Sequence, residues 1–342
     1  SSYSTLSYSS VAVQGAHGLR LDGMFAAVSD STMTNNGGGA YALFIAGADS
    51  NTVTRSYMSN PSGLGAYLLS GADYNTISLS TMLAGGAGSP ALYITASDFN
   101  TVTGSYMSNP SGHGAAFDSG SDHNTISQST MASNAVGSFA LYLINSASNT
   151  VTGSCISNPG GRGAYLDTGA DYNTISLSTI TSSASATAAF NLNGARFNMV
   201  SGSYISNPAG YGTNLSAGAN SNTISQSTMT SGDAGSMALY ITGSSSNTVT
   251  GSFILNPTGS GAALLSGADY NTISQSTITS SALGVRALTI FSSDFNTVAQ
   301  SYIANPAGES VRLFGGADYN TISQSTVTSD AAGFGALAIV ES

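Results

Sequence analysis

The sequence predicts an all-β protein, a parallel β-solenoid of 14 coils with three short strands in each coil. Three observations predict this fold. A motif recurs at steps that alternate strictly between 24 and 25 residues, apolar and polar residues alternate over short stretches within each step, and Gly-rich or Asn-Pro turns separate those stretches. The repeating unit is therefore a pair of coils of 49 residues. Seven such pairs fill the sequence, so we expect a single domain over residues 1–342 without evident caps.

An asparagine marks the start of nearly every coil, as in ADYNTISQST at residues 268–277. Extending the frame backward puts Ala26 and Ser2 in the first two of these slots. The asparagine slot and the inward Val or Ile two residues later point to the same side of the chain. We therefore expect a structural ladder of stacked amides at a corner and no catalytic asparagine. The asparagines are Asn51, Asn75, Asn100, Asn124, Asn149, Asn173, Asn198, Asn222, Asn247, Asn271, Asn296 and Asn320.

Three strands are expected in each coil. In NTISLSTML, Ile77 and Met82 are apolar and stand among polar residues, which favours two short strands with a bend between them. A third strand follows, with Leu92 and Ile94 on one face, and in the 24-residue coils we place Leu68 in the Leu92 slot. We expect the one-residue length difference to fall after this third strand, where a corner can absorb it.

The pattern Asn-x-Ile-x-x-Ser-x-Met/Ile, present once per coil, resembles the right-handed parallel β-helix repeat of pectate-lyase-like proteins and of long bacterial surface proteins. The resemblance covers essentially the whole sequence and is weakest in the first coil, residues 2–25. It implies a right-handed, single-stranded β-helix. It implies no single activity, because lyases, hydrolases, adhesins and passive spacers share the fold.

Composition excludes some classes of partner. The chain has a net charge of −10, six arginines and no lysine, so no basic face can neutralise phosphates and we expect no nucleic-acid partner. The sequence contains no run of 18 apolar residues, so no membrane span is predicted. The sequence starts at Ser1, not at Met, which fits an exported protein, and we expect an extracellular or cell-surface location.

Eight aspartates stand two residues before the asparagine slot, and Ala147, Arg196, Asn220 and Ser245 interrupt the column. Like charges about 4.8 Å apart repel by about 1 kcal/mol even in water, so something must compensate them. Either each carboxylate accepts backbone N–H bonds in an Asx-type turn, or Ca²⁺ or another hard cation bridges successive carboxylates. The candidate cation column is Asp49, Asp73, Asp98, Asp122, Asp171, Asp269, Asp294 and Asp318.

Two outward rows of side chains are candidate contact surfaces. Thr follows the asparagine slot in 11 of 14 coils and Ser or Thr stands two residues later, a regularity that resembles the ice-binding faces of solenoid antifreeze proteins and also suits an ordinary solvated strand. The second row occurs in alternate coils. Its rings could contact glycans or a neighbouring rod, or pack locally against the Asn-Pro loop. It consists of Tyr8, Tyr57, Tyr106, Tyr204 and Tyr302.

An enzyme is not predicted. The GHG at residues 112–114 resembles one fragment of the polygalacturonase signature, but the acidic and basic fragments of that signature are absent. Sister coils vary at the central position, so we expect His113 to be a variable loop residue. Those sister residues are Leu64, Arg162, Tyr211, Ser260 and Glu309. The arginines and histidines fall in different slots, and no coil departs from the others as an active site requires.

The sequence therefore favours a structural extracellular or cell-surface β-solenoid. We expect it to stack head to tail through its terminal coils into a filament, or to be a segment of a longer fibre. Low charge would also allow rods to associate laterally. The alternatives are an adhesin or glycan-binding surface protein and, third, an ice-binding protein. No cofactor is predicted, and Ca²⁺ in the aspartate column is left open.

Overall fold

The computed structural model describes residues 3–340, so Ser2, assigned to the first asparagine slot, lies outside the described residues. Within this range the chain is all-β, with 42 strands. Residues 3–340 contain no helix that is long and apolar enough to cross a membrane. The chain divides into two compact units, unit 1 (Ser1–Thr179) and unit 2 (Ile180–Ser342), and each is described by itself.

Unit 1 consists of short strands of three to six residues. In chain order they are β1 (Thr5–Ser7), β2 (Ser10–Val13), β3 (Leu19–Leu21), β4 (Ala27–Ser29), β5 (Thr32–Asn35), β6 (Tyr41–Ala46), β7 (Thr52–Thr54), β8 (Tyr57–Asn60), β9 (Leu64–Leu69), β10 (Thr76–Ser78), β11 (Thr81–Ala84), β12 (Pro90–Thr95), β13 (Thr101–Thr103), β14 (Tyr106–Asn109), β15 (His113–Asp118), β16 (Thr125–Ser127), β17 (Thr130–Ser133), β18 (Phe139–Leu143), β19 (Thr150–Thr152), β20 (Cys155–Asn158), β21 (Arg162–Leu166) and β22 (Thr174–Ser176).

Unit 2 also consists of short strands of three to six residues. Its strands are β23 (Thr179–Ser182, of which the last three residues belong to this unit), β24 (Ala188–Asn193), β25 (Met199–Ser201), β26 (Tyr204–Asn207), β27 (Tyr211–Ser216), β28 (Thr223–Ser225), β29 (Thr228–Ser231), β30 (Met237–Thr242), β31 (Thr248–Thr250), β32 (Phe253–Asn256), β33 (Ser260–Leu265), β34 (Thr272–Ser274), β35 (Thr277–Ser280), β36 (Arg286–Phe291), β37 (Thr297–Ala299), β38 (Tyr302–Ala304), β39 (Glu309–Phe314), β40 (Thr321–Ser323), β41 (Thr326–Thr328) and β42 (Leu337–Val340).

Within each unit every third strand belongs to the same sheet, and each strand pairs in parallel with its equivalent in the coils before and after it. In the first sheet of unit 1, Ile77 of β10 lies opposite Val53 and Val102. In the second sheet, Met82 of β11 lies opposite Met58 and Met107. The predicted all-β solenoid with three strands per coil is therefore confirmed.

The core is a stack of equal apolar layers. Val53, Ile77 and Val102 in the first sheet and Met58 and Met82 in the second are at most 1% exposed. Burying such a side chain contributes about 1.5–3 kcal/mol, and each layer contacts only the layers next to it. Inward positions are therefore restricted to similar apolar side chains in every coil.

The register of the third sheet differs from the prediction. Leu68 lies opposite Ile94, not Leu92, and the partner of Leu92 is Ala66. In the 25-residue coil the loop before the third strand is two residues longer, and the segment after Thr95 is one residue shorter. The prediction that the whole length difference falls after the third strand was therefore wrong. Two extra residues before the strand and one fewer residue after it give the same net difference of one residue.

The asparagines of the repeat form a ladder along one corner. Asn100 Oδ1 accepts hydrogen bonds from Asn75 N (2.8 Å) and Asn75 Nδ2 (3.1 Å), and Asn75 Nδ2 also donates to Ala48 O (3.0 Å). Asn100 repeats this donation to Asn124 Oδ1 (2.9 Å from N, 3.1 Å from Nδ2). The amides thus satisfy backbone groups that the corner buries and that no strand partner reaches.

A second set of asparagines, from the Asn-Pro turns, is fully buried at the end of the second strand or directly after it. Asn109 Nδ2 donates to Gly86 O (2.9 Å) of the preceding coil, and Asn109 Oδ1 accepts from Ser111 N (2.8 Å). These residues therefore fix the loop that leads into the third strand. The set comprises Asn60, Asn109, Asn158, Asn207, Asn256 and Asn305.

Exposed aromatic rings precede the asparagine ladder in a left-handed backbone conformation. The φ angles of Tyr74, Phe99 and His123 are 56°, 57° and 58°. Their rings stack with centroids 5.1 Å and 4.9 Å apart, and Tyr270 stacks on Phe295 at 4.9 Å. A left-handed non-glycine residue costs about 1–2 kcal/mol, and a stacked pair returns about 0.5–1.5 kcal/mol, so stacking offsets much of the strain.

Candidate functional site

The outer surface of the third sheet in unit 1 carries a column of residues, one from each third strand between β6 and β21, of which five are aromatic and one is alanine. We call this column the aromatic face. It runs Phe44, Tyr67, Tyr93, Ala116, Tyr142 and Tyr165, each opposite the next in register. The predicted pairing of Leu68 with Leu92 hides this column, because it shifts Tyr67 away from Tyr93. Aligning AYL at residues 66–68 with LYI at residues 92–94 would have found it.

The rings of the aromatic face form two groups on either side of Ala116. In the first group, Tyr67 stacks on Tyr93 with centroids 5.0 Å apart and planes inclined by 11°. In the second, Tyr142 stacks on Tyr165 at 5.7 Å and 6°. Neighbouring rings in such arrangements stabilise each other, and the tyrosine rings of both groups are partly exposed to solvent.

A cleft of about 310 Å³ lies where Ala116 interrupts the rings. Its size is at the lower end of the range for small-molecule sites. Tyr93 and Tyr142 stand on its two sides, and Asp118 contributes the one carboxylate among its described lining. The lining residues are Leu64, Gly88, Ser89, Pro90, Tyr93, His113, Ala116, Asp118 and Tyr142.

His113 is the first residue of β15 and not a loop residue, so that expectation was wrong. Its Nδ1 accepts a hydrogen bond from Phe139 N (3.0 Å), and its ring stacks on the Phe139 ring at 5.1 Å. Burial lowers the pKa of His113, which is therefore neutral at pH 7 with Nε2 carrying the proton.

The two glycines of GHG meet a backbone requirement. A Cβ on Gly114 would lie 2.5 Å from Ala140 O, and one on Gly112 would lie 2.3 Å from Ser89 O. Only glycine fits so close to the neighbouring coil. The likeness of GHG to a catalytic signature therefore has a structural cause.

Carboxylates hold the tyrosines of the cleft. Tyr93 Oη donates to Asp118 Oδ2 (3.4 Å), and Tyr142 Oη donates to Asp167 Oδ2 (3.5 Å). Burial and the neighbouring carboxylate raise the pKa of Tyr93 to about 12, and burial and Asp167 do the same for Tyr142. Both hydroxyls therefore stay protonated at neutral pH, and both rings are held in one orientation.

Arginines cover the two ends of the aromatic face. The guanidinium carbon of Arg20 lies 5.5 Å from the centroid of the Phe44 ring, and that of Arg162 lies 5.2 Å from the Tyr165 ring. Both distances are within the range of a cation–π interaction, which orients the arginine along the ring and keeps the ring surface covered at these ends.

The predicted tyrosine stripe lies on a different surface. Tyr57 and Tyr106 begin second-sheet strands, and their side chains are 40% and 42% exposed. Thr81 lies between them in register, so the rings are two coils apart and do not form a stacked column. Tyr204 and Tyr302 are exposed in the same way, at 45% each. The assignment of Tyr8 to the stripe was wrong, because Ser10 occupies the register of Thr32 and Tyr57, and Tyr8 lies at the bend before β2, where it is 84% exposed.

The aspartate column is held by the backbone of the following coil. Asp73 Oδ1 accepts from Asp98 N (2.7 Å), Asp98 Oδ1 from Asp122 N (2.8 Å), and Asp122 Oδ1 from Ala147 N (2.6 Å). These three carboxylates therefore accept backbone N–H bonds, as the first alternative predicts, but the donors belong to the next coil and not to an Asx-type turn. Residues 3–340 contain no group of three or more His, Cys, Asp or Glu that could hold a metal ion, and a bridging cation stays a prediction.

The Thr and Ser ranks of the first sheet point outward, as expected from their alternation with buried Val and Ile. Hydroxyls of the second rank bond to one another, since Ser78 Oγ donates to Thr54 Oγ1 (3.0 Å) and Ser127 Oγ donates to Thr103 Oγ1 (2.9 Å). Ice binding by these ranks stays a prediction, and a thermal hysteresis assay would test it.

The family is decided by the sequence model described as "Right handed beta helix region", which matches residues 17–180, 86–229 and 188–339. The chain belongs to this right-handed β-helix family. The predicted resemblance is thereby confirmed, including the handedness of the coil. No curated protein sequence matches the chain.

Solved structures share the β-helix fold at low sequence identity. The Dettilon tailspike protein (gp208) superposes with a TM-score of 0.63 at 15% identity, over 80% of this chain and 59% of the tailspike. Bacteriophage CBA120 tailspike protein 3 gives 0.62 at 9% identity, over 92% and 55%. The A-module of the Azotobacter vinelandii mannuronan C-5 epimerase AlgE4 gives 0.53 at 14% identity, over 93% and 91%. This chain thus spans less than two thirds of either tailspike.

Proposed function

We propose that this β-helix is an extracellular or surface-exposed protein that binds a polysaccharide along the aromatic face of unit 1. The observation that carries the proposal is the column of stacked rings with the Ala116 cleft at its middle. A pyranose ring presents C–H groups on its faces and hydroxyls around its rim. The faces pack on aromatic rings, and carboxylates such as Asp118 accept hydrogen bonds from the rim.

The shape of the aromatic face suits a chain molecule. Five coil steps of about 4.8 Å place Phe44 and Tyr165 about 24 Å apart along one straight column. The rings lie in register in two groups on either side of Ala116, so a polymer that runs along the column can contact the exposed edges of several rings in succession. Weak contacts at each ring then add along one ligand, which is how a shallow surface reaches useful affinity.

Binding without cleavage is part of the proposal. Hydrolysis of a glycosidic bond by the common mechanisms uses two carboxyl groups that flank it. Among the described residues that line the cleft, Asp118 alone carries a carboxyl group, and it accepts the Tyr93 hydroxyl. We therefore expect no release of reducing sugar from any polysaccharide that the protein binds.

The fold neighbours are compatible with this proposal and do not carry it. The Azotobacter vinelandii protein is named as an epimerase of mannuronan, a polysaccharide, and two further neighbours are phage tailspikes. With identities of 9–15%, they share the fold alone. What supports glycan binding here is the chemistry of this chain's own outer face.

Native gel electrophoresis through polysaccharide-containing gels tests the proposal. Binding retards the protein, and we expect Tyr67→Ala and Tyr142→Ala to weaken retardation at least tenfold, about 1.4 kcal/mol each. Tyr240→Ala, on the outer face of the third sheet in unit 2, is the matched control and should bind as the parent does. If the double variant Tyr57→Ala/Tyr106→Ala loses binding instead, the site is the tyrosine stripe, and the aromatic face is not involved.

Self-assembly is a second candidate, and the last described strand favours it. In β42, Leu337 and Ile339 are 44% and 63% exposed. An apolar strand edge of this kind pairs readily with another strand, either from a following coil of the same polypeptide or from a second copy. Negative-stain microscopy of native material should then show filaments. Dispersed short particles at high protein concentration would contradict head-to-tail stacking.

A further inference from the structure

We infer that the Ala116 cleft is a subsite for one uncharged sugar ring, held between the rings of Tyr93 and Tyr142. This inference rests on the proposed function and adds the position of the subsite and the class of sugar. It is built from three observations: the spacing of the two tyrosines, the contacts that fix them, and the charges around the cleft.

The spacing admits one ring. Tyr93 and Tyr142 lie two coils apart, because Ala116 stands between them in register, and two steps of about 4.8 Å separate their strands by about 9.6 Å. A flat ring in van der Waals contact on both sides needs about 7–8 Å. Rings in adjacent coils are too close for this, since Tyr67 and Tyr93 are already in contact at 5.0 Å.

The walls and floor are held in place before any ligand arrives. Asp118 accepts the Tyr93 hydroxyl, and Asp167 accepts the Tyr142 hydroxyl. The Tyr142 ring also packs against Phe139 with centroids 4.8 Å apart. Ala116, only 3% exposed, closes the floor. Little side-chain freedom remains to be lost on binding, which favours affinity.

The charges select an uncharged sugar. Asp118 is the one charged residue among the described lining, and His113, at the opposite end of β15, is neutral at pH 7 because burial lowers its pKa. A uronic acid or sulfated sugar in the cleft would place its anion near the Asp118 carboxylate without a cation to pair with. A neutral sugar instead offers hydroxyls that the same carboxylate accepts.

The chain provides a matched control in unit 2. Ala263 occupies the same column of the third sheet, between Tyr240 and Thr289. It is fully buried as Ala116 nearly is, but only one of its neighbours is aromatic. A change at Ala263 therefore perturbs the scaffold in a similar way and leaves the proposed subsite intact.

The test compares Ala116→Tyr with Ala263→Tyr in native gels that contain galactomannan, mixed-linkage β-glucan, alginate or polygalacturonate. We expect the parent protein to be retarded by a neutral polymer and at least tenfold less by both anionic polymers. Ala116→Tyr fills the cleft and should reduce binding at least tenfold, whereas Ala263→Tyr should not. Ala116→Val raises the floor with a strand-compatible side chain and should reduce binding also if Ala116→Tyr fails to fold.

The outcomes separate this inference from the proposed function. If the parent binds none of the four polymers, both are overturned. If the parent binds, Tyr67→Ala weakens binding, and folded Ala116→Tyr and Ala116→Val bind as the parent does, the aromatic face stands and the subsite is overturned. Equal or stronger binding of the anionic polymers overturns the selectivity. In that case Asp118→Asn, which keeps the shape of the cleft, should also leave the preference unchanged.

Discussion

The outer surface of the third sheet differs between the two units, although their inner surfaces are alike. In unit 1 this surface carries the aromatic face. In unit 2 the same column reads Asn191, Asn214, Tyr240, Ala263, Thr289, Arg312 and Ala338. The inward residues one position before this column alternate between large and small in both units, for example Leu141 with Ala164 and Leu239 with Ala262. Stacking restricts what points inward, and only a ligand or solvent restricts what points outward.

In a highly regular solenoid, functional residues are expected at the positions that the repeat itself does not determine. Every coil must supply the same layers, ladders and corners, so those positions repeat whether or not the coil does anything else. The outer positions of the third strand are not tied to a ladder or a layer. Among its described residues, unit 2 has only the separate ring pairs Tyr211–Tyr240 and Phe291–Phe314 at such positions, so the longer column of rings in unit 1 points to a selected surface and not to a requirement of the scaffold.

The largest effect is expected where the units should behave alike. Leu141→Ala and Leu239→Ala each remove a fully buried side chain from the third-sheet layer, and each should lower the free energy of unfolding by about 2–5 kcal/mol. Urea unfolding followed by circular dichroism measures both. If the free energy of unfolding fell by less than about 1 kcal/mol in one unit only, the inner layers of the two units would not be equivalent.

The asparagine ladder should also be equivalent in the two units. Asn100→Ala leaves Asn75 N–H without its acceptor, and Asn247→Ala does the same to Asn222 N–H, which donates to Asn247 Oδ1 at 2.9 Å. An unsatisfied buried amide costs about 1–3 kcal/mol, and we expect that loss at both positions. Asn→Asp at the same sites keeps an acceptor oxygen and serves as the control. Unequal losses would mean that one ladder is supported by other contacts.

A tyrosine introduced on the outer surface of the third sheet in unit 2 should have a smaller effect and should raise the free energy of unfolding. Asn214 Oδ1 is buried and has no hydrogen-bond partner in residues 3–340, and its neighbour in register is Tyr240. Asn214→Tyr would remove the unsatisfied oxygen and place a ring beside Tyr240, as Tyr67 lies beside Tyr93. We expect a gain of about 0.5–1.5 kcal/mol in unfolding free energy. Thr289→Tyr, whose register neighbours are Ala263 and Arg312, should gain less.

Much of the fold follows from the sequence, and the candidate site does not. The constant period fixes the number of coils, and the alternation around Ile77 and Met82 fixes which face of the first two strands is buried. The third strand is different. The predicted pairing of Leu68 with Leu92 and the observed pairing of Leu68 with Ile94 differ by a shift of two residues, and such a shift turns no side chain to the other face of the sheet. The hydrophobic pattern cannot detect such a shift, and only the true register brings Tyr67 beside Tyr93.

The smallest expected effect concerns pH and distinguishes the units, because all three histidines of the chain, His17, His113 and His123, belong to unit 1. Burial lowers the pKa of His113 below 6.5, so the unfolded chain binds a proton more readily than the folded one. Stability is therefore unaffected well above pH 6.5 and falls as the pH drops through 6.5 toward the folded-state pKa. We expect the parent to lose unfolding free energy between pH 7.5 and pH 5.0, and His113→Gln, which cannot titrate, to lose less.

His17 contributes in the same direction, because burial and then Arg20 lower its pKa. The unfolding free energy of the double variant His17→Gln/His113→Gln should therefore depend on pH less than that of either the parent or His113→Gln. A parent and double variant with identical pH dependence would show that neither ring is held neutral by the fold.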